Sequence, residues 1–213
     1  MTRADGRSGT VVVLNGTPRS GKSSVAAALQ ASSDARWLSF GVDAMADVTP
    51  PALRPGIGLR PGGERPDLES AVAVLYDALF AAVVAWSRAG LDVVVDVGLH
   101  DDYAAPLGIL RRVAVVLAGL PAYLVGVRCP AEVIMARRDA DPGAAPGGYV
   151  TSEPDGSVPD AVARWERAVH DPGVYDLEVD TAAVSPEACA AAIVRRVAEG
   201  PPVAFAALAR GVC

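Results

Sequence analysis

Lysine, asparagine and glutamine each occur once in 213 residues, as Lys22, Asn15 and Gln30, and histidine only twice. Cysteine is scarce as well. Cys129, Cys189 and Cys213 stand far apart with no C-x-x-C pair, which excludes a disulfide framework, gives no zinc signature and fits a reducing, cytoplasmic setting. Basic charge is in deficit, 19 residues against 25 acidic ones for a formal charge of −6 and a pI near 4.9. That balance excludes a broad nucleic-acid-binding face, so any polyanion must be met at a small local site. Uninterrupted apolar runs are missing too. The longest, residues 71–86, is broken by Asp77, and the opening MTRADGRSG lacks the apolar centre of a signal peptide, so neither export nor a membrane span is expected. With 51% hydrophobic and 21% charged residues, the chain can bury a full core, and a single domain over 1–213 is the expectation.

The other basic residues are all arginine. A GC-rich coding bias accounts for that replacement wherever arginine will serve, but not for the one lysine that remains. A compact ammonium has no substitute in a planar guanidinium where geometry is tight, which marks Lys22 before any motif is considered.

Strand and helix signals alternate along the chain. Residues 10–15 (TVVVLN) form a β-branched run, followed by a glycine-bounded loop and a helix-forming stretch at 23–31. A short apolar segment at 37–40 leads into Gly41-Val42-Asp43, and residues 49–66 hold enough proline and glycine to read as a long loop with room for a small hairpin. Leu68, Val72, Leu75, Leu79, Val83 and Trp86 recur at helical spacing up to Gly90. Strands are expected at 92–97, 122–127 and 175–179, and helices at 105–118, 130–138, 159–170 and 186–198. The strands lack alternation, which points to a parallel sheet covered on both faces. Residues 139–159 read as a mobile segment, and the tail 199–213 carries no signal.

Gly16-Thr17-Pro18-Arg19-Ser20-Gly21-Lys22-Ser23 matches G-x-x-x-x-G-K-[ST] between a predicted strand and a predicted helix. In that context the glycines let backbone N–H groups converge on phosphate oxygens at the positive end of the helix. Lys22 then reaches the β and γ phosphates and Ser23 ligates magnesium, with Ser24 beside it. The expected ligands are ATP and Mg2+. Asp43 follows the second strand, where it serves either as general base for an acceptor hydroxyl or as a helix N-cap. Asp96 ends VVVD, in the place of a carboxylate that orients the magnesium shell or of a plain strand-end aspartate. Arg137 and Arg138 precede the mobile segment, where they neutralise charge on a transferring phosphoryl group or simply partner a helix dipole. Arg128 is a weaker candidate for the same task. His100, Asp101 and Asp102 read as a solvated loop, and His170 has no neighbouring ligand to suggest a metal.

With these residues in view, the chain resembles the chloramphenicol phosphotransferase family of P-loop kinases. The carrying segments are VVVLNGTPRSGKSS, WLSFGVDAM, VVVDV, LVGVRCPAEV and HDPGVYDLEVDT. The resemblance implies ATP at Gly16 to Ser23, Asp43 as the base and a lid arginine at Arg137. The family lid R-G-D-R is here Arg137-Arg138-Asp139-Ala140, followed by a long insertion to Pro159.

The expected fold is therefore α/β, a three-layer P-loop kinase with five parallel strands in the order 2-3-1-4-5 flanked by helices, an acceptor-side loop at 45–66 and a lid at 137–159. The expected reaction is phosphoryl transfer from ATP to a hydroxyl of a neutral or weakly charged, partly apolar small molecule of antibiotic type. Met45, Val48, Leu53, Ile57, Leu59 and Leu68 are its candidate walls. A metabolic kinase of shikimate or gluconate type is the alternative, with Arg54, Arg60 and Arg65 available for an anionic acceptor. An adenine-nucleotide-dependent regulator is another; a guanine-selecting N-K-x-D cannot exist with one lysine.

Overall fold

The computed structural model describes residues 7–32, 37–54, 66–143 and 149–211. Strands β1 (Val11–Asn15), β2 (Trp37–Gly41), β3 (Asp92–Val97), β4 (Ala122–Arg128) and β5 (Leu177–Asp180) form one sheet in the order β2-β3-β1-β4-β5. All four pairings are parallel. The helices are α1 (Lys22–Ala31), α2 (Val42–Val48), α3 (Glu69–Arg88), α4 (Ile109–Val116), α5 (Ala131–Ala140), α6 (Asp160–Val169), α7 (Pro186–Glu199) and α8 (Ala204–Ala209).

Every residue of β1 is buried, the physical meaning of its missing alternation. Val11 and Val13 point into a core closed by Leu79, Phe80 and Val83 of α3, Val113 of α4 and Phe205 of α8. Val12 and Leu14 point the other way, onto Val25 and Leu29 of α1 and Ile193 of α7. Although α3 is long and apolar enough to cross a membrane by length and composition, its apolar stripe lies on the sheet, and the Asp77 that interrupts it pairs with Arg112 of α4.

Three expectations change. Residues 45–48 are helical, not loop: Asp43 sits in the first turn of α2, where its charge suits the helix dipole, alanines follow, and Pro50-Pro51 stop the run. The 49–66 segment shows 3₁₀ turns at Pro51–Leu53 and Pro66–Leu68, and residues 55–65, over which a small hairpin is expected, lie outside the described residues. The helix expected at 105–118 begins only at Ile109, after Gly108 in the left-handed region, because Pro106 and Gly108 oppose an earlier start. The tail is also structured, since α8 buries Ala204, Phe205 and Leu208.

Asp176, in the family segment YDLEVDT, is what ties this tail down. Its fully buried carboxylate accepts from the amides of Leu124 (2.9 Å), Val203 (2.6 Å) and Ala204 (3.2 Å) and lies 3.6 Å from Arg196. Asp176→Ala leaves these donors unpaired and is expected to cost roughly 2–4 kcal/mol, lowering Tm by about 5–15 °C. An unchanged Tm in thermal melts contradicts that anchoring role.

Candidate active site

The phosphate loop is forced into shape by close approaches. A Cβ on Gly16 would stand 2.6 Å from the Val127 carbonyl oxygen and 2.8 Å from Ser20 Oγ. Gly21 has φ +95 and lies against Thr181, while Arg19 holds the left-handed region at φ 70, a conformation only glycine adopts cheaply. Helix α1 opens directly on the loop with no acidic residue in its first turn, so no carboxylate of its own competes for the N-terminus.

Three adjacent strand ends bring the charged groups together. Lys22 is 8% exposed; its Nζ donates to the Thr17 carbonyl at 2.9 Å and lies 3.5 Å from Asp96 Oδ1. Ser23 Oγ donates to Asp96 Oδ2 at 2.7 Å. In register, Asp96 stands beside Leu14 on one side and Gly41 on the other, which delivers Asp43, two residues after Gly41, to the same edge. The Asp43 carboxyl stays open to solvent, yet the surrounding protein and then the Asp96 charge raise its pKa, with Lys22 opposing.

A ring of outside residues grips the loop one residue at a time. Thr17 Oγ1 donates to Glu166 Oε2 of α6 at 2.8 Å. Arg138 reaches the Pro18 carbonyl at 3.4 Å. Arg137 donates to the Arg19 carbonyl at 3.0 Å and to Thr181, and Arg19 returns a bond to the Arg137 carbonyl at 2.7 Å. Thr181 Oγ1, just past β5, donates to the Ser20 carbonyl. Both guanidinium groups of Arg19 and Arg138 lie over the Tyr149 ring, 5.5 and 5.6 Å from its centroid.

Arg137 and Arg138 thus differ. Arg137 donates to the oxygens of Arg19 and Thr181, whereas Arg138 is fully buried with Nε and Nη1 unpartnered. Burial lowers its pKa, partly offset by Tyr149 and Glu166. Ser20 Oγ is likewise buried and without a partner. Orphan donors converging on a glycine-lined loop at a helix N-terminus fit a polyphosphate. For magnesium, the Ser23 hydroxyl and Asp96 carboxylate are the hard oxygen donors it prefers. Among the described residues no group of three or more His, Cys, Asp or Glu is placed to hold a metal ion, so phosphate oxygens and water would have to complete the shell of a magnesium held there.

The remaining candidates disperse. Arg128 pairs with Glu178 and lies over Tyr175. His100 is buried and stacked on Tyr103 with centroids 4.3 Å apart, not part of a solvated loop. Asp101 accepts from the Ile109 amide to cap α4, and Asp102 pairs with Arg164. Arg54 donates to the Thr49 carbonyl. Val48 and Leu53 are exposed, Met45 packs on the core and Leu68 joins Val72 beneath Tyr76. Ile57, Leu59, Arg60 and Arg65 lie outside the described residues.

Sequence reasoning missed Glu166 and the two aromatics beside Gly98, the residue after β3. Tyr76 hydroxyl meets the Gly98 carbonyl at 3.5 Å, and the Trp165 ring lies 3.9 Å from where a Gly98 Cβ would stand. No spacing rule marks α6 as part of the site, because its partners are some 150 residues away in sequence. Thr181 was visible only as the end of YDLEVDT.

Among solved structures, APS kinase from Mycobacterium tuberculosis in complex with AMPPNP and APS aligns at TM-score 0.58 and 18% identity, over 91% of this chain and 99% of that one. A Deinococcus radiodurans tunicamycin resistance protein gives 0.54 and 19%, over 91% and 98%. Shikimate kinase from Acinetobacter baumannii with shikimate gives 0.53 and 15%, over 90% and 94%. At such identities they establish the P-loop kinase fold and nothing finer. No protein of curated function matches in sequence. The model of the chloramphenicol phosphotransferase-like proteins matches residues 9–198, and the chain, with the loop, the Asp43 position and YDLEVDT in place, belongs to that family.

Proposed function

We propose that the protein transfers the γ-phosphoryl group of ATP to a hydroxyl of a neutral or cationic, partly apolar small molecule of antibiotic type. The observation that carries this reading is the convergence of Lys22, Ser23, Asp96 and Asp43 on one sheet edge. The loop amides and Lys22 hold the β and γ phosphates, and Ser23 with Asp96 would hold magnesium, which screens phosphate charge when bound. Asp43, across from the leaving oxygen, accepts the hydroxyl proton as the oxygen attacks in line. Arg138, with two guanidinium nitrogens unspent, is the better placed of the two arginines to meet charge on the transferred group, and Arg137 clasps the loop.

Charge around the acceptor side supports the acceptor class. The Asp96 and Asp47 charges both act on Asp43 there, Glu166 stands at Thr17, and Arg54 is engaged with a backbone carbonyl. A small anionic acid would meet like charge without a described guanidinium to anchor it. Tyr76 and Trp165 beside Gly98 supply aromatic surface for an apolar ring. Dependence on ATP, with Cys129 and Cys189 unpaired, suits the cytoplasm.

Lys22→Arg keeps the charge but replaces a point ammonium by a fork, and turnover is expected to fall at least a hundredfold. Near wild-type product formation refutes the point-charge role. Asp43→Asn is expected to lower kcat by roughly 10²-fold or more with little change in ATP affinity. Because folding raises the Asp43 pKa, the folded state binds the extra proton, and the residue's stabilising effect falls as pH rises through that pKa. The asparagine variant is therefore expected to melt no lower than wild type near pH 7, and kcat/KM of wild type should rise with pH through a pKa above the ordinary aspartate value. Loss of ATP binding in this variant would instead make Asp43 a magnesium or structural residue. Across chloramphenicol, nucleoside antibiotics including tunicamycin, aminoglycosides, shikimate and gluconate, turnover is expected for antibiotics; turnover of the acids alone overturns the reading.

A further inference from the structure

We propose that Glu166 is a positioning residue that couples helix α6 to the phosphate loop, setting nucleotide affinity through its hydrogen bond from Thr17 and turnover through the charge it brings to the Thr17-Pro18 turn that Arg138 also bonds. This rests on the phosphotransferase reading above. Arg137, Arg138 and Thr181 reach the loop from α5 and from the end of β5, and Asp96 meets Lys22 and Ser23 from β3, whereas Glu166 reaches Thr17 from α6.

The carboxylate is held at both ends. Oε2 accepts from Thr17 Oγ1 at 2.8 Å, and Oε1 lies 3.4 Å from His170 Nε2 one turn along α6. His170 Nδ1 meets the Tyr175 hydroxyl at 2.7 Å, and Asn15 Nδ2, at the end of β1, donates to that hydroxyl at 3.3 Å and to the Val169 carbonyl at 2.7 Å. Side-chain bonds thus run from Asn15, on the central strand, through Tyr175 to His170, whose Nε2 faces Glu166 at 3.4 Å. Burial alone would raise the Glu166 pKa, but the bonds from His170 and Thr17, with the His170 and Arg128 charges, hold it below the ordinary range.

Its anchorage has two consequences. Thr17 is the residue whose carbonyl receives Lys22 Nζ and the Ser20 amide, so fixing its side chain fixes the turn that places the lysine. Arg138 is fully buried and bonds the Pro18 carbonyl, next to Thr17; burial lowers its pKa, and Tyr149 and then Glu166 oppose that. A buried guanidinium needs such a partner to stay ready for an incoming phosphoryl group. Position and charge are thus separable, because glutamine still offers Thr17 an acceptor oxygen but carries no charge.

The test combines calorimetric binding of a non-hydrolysable ATP analogue with magnesium, turnover on the best acceptor, and thermal melts. Glu166→Ala is expected to weaken analogue binding about tenfold and lower kcat about tenfold, with acceptor KM within threefold. Glu166→Gln should recover most of the binding but little of the kcat. Thr17→Val added to Glu166→Ala should weaken binding no further, because both changes remove one bond. Unchanged analogue affinity in folded Glu166→Ala protein, additive losses in the double variant, or equal recovery of binding and kcat in Glu166→Gln would each overturn the proposal. If Glu166→Ala does not fold, the glutamine variant alone decides by its split between binding and kcat. A wild-type protein that fails to bind the analogue overturns the phosphotransferase reading itself, whereas binding without turnover leaves the Thr17 arm of the test intact and removes the acceptor assignment and the claim on kcat.

Discussion

The Asp96 carboxylate is the point on which the site depends. One oxygen takes the Ser23 hydroxyl, the other faces Lys22, and its charge raises the pKa of Asp43. It can do this only because β3 lies between β1 and β2 in parallel register, pairing Asp96 with Leu14 and Gly41 at once. Gly41 is required for that approach, since a Cβ there would stand 2.3 Å from the Asp96 carbonyl oxygen. A one-residue slip would send Asp96 to the other face and dissolve the cluster.

Around this centre the loop is clasped from outside by Glu166, Arg138, Arg137 and Thr181, which together hold Thr17 through Ser20. A phosphate loop must present its N–H groups inward, so its carbonyls and side chains turn outward and need partners of their own. Arginine supplies several donors per side chain, which suits that task. The clasp also joins the loop to the segments before and after residues 144–148.

Much of this was legible in the sequence for physical reasons. Unbroken valine runs gave a doubly covered parallel sheet, and G-x-x-x-x-G-K-S between strand and helix located the loop. The ends of the second and third strands placed Asp43 and Asp96. Helix α2 was hidden because two prolines and a loop follow it closely, and α8 because its stability comes from Asp176 and from packing rather than from its own six residues. Glu166, Tyr76 and Trp165 were not legible, since their roles arise from contacts between distant segments. Arg137 and Arg138 were read as a pair, and only the unspent donors of Arg138 distinguish them.

The central claim is that the γ-phosphoryl group moves intact to an acceptor oxygen. Phosphorus NMR of the protein with ATP, magnesium and a hydroxylated antibiotic tests it most directly. The account predicts a new phosphate monoester resonance that grows in equal amount with ADP and retains the label of γ-labelled ATP. Release of label only as inorganic phosphate, or bound ATP that is never turned over, would contradict it.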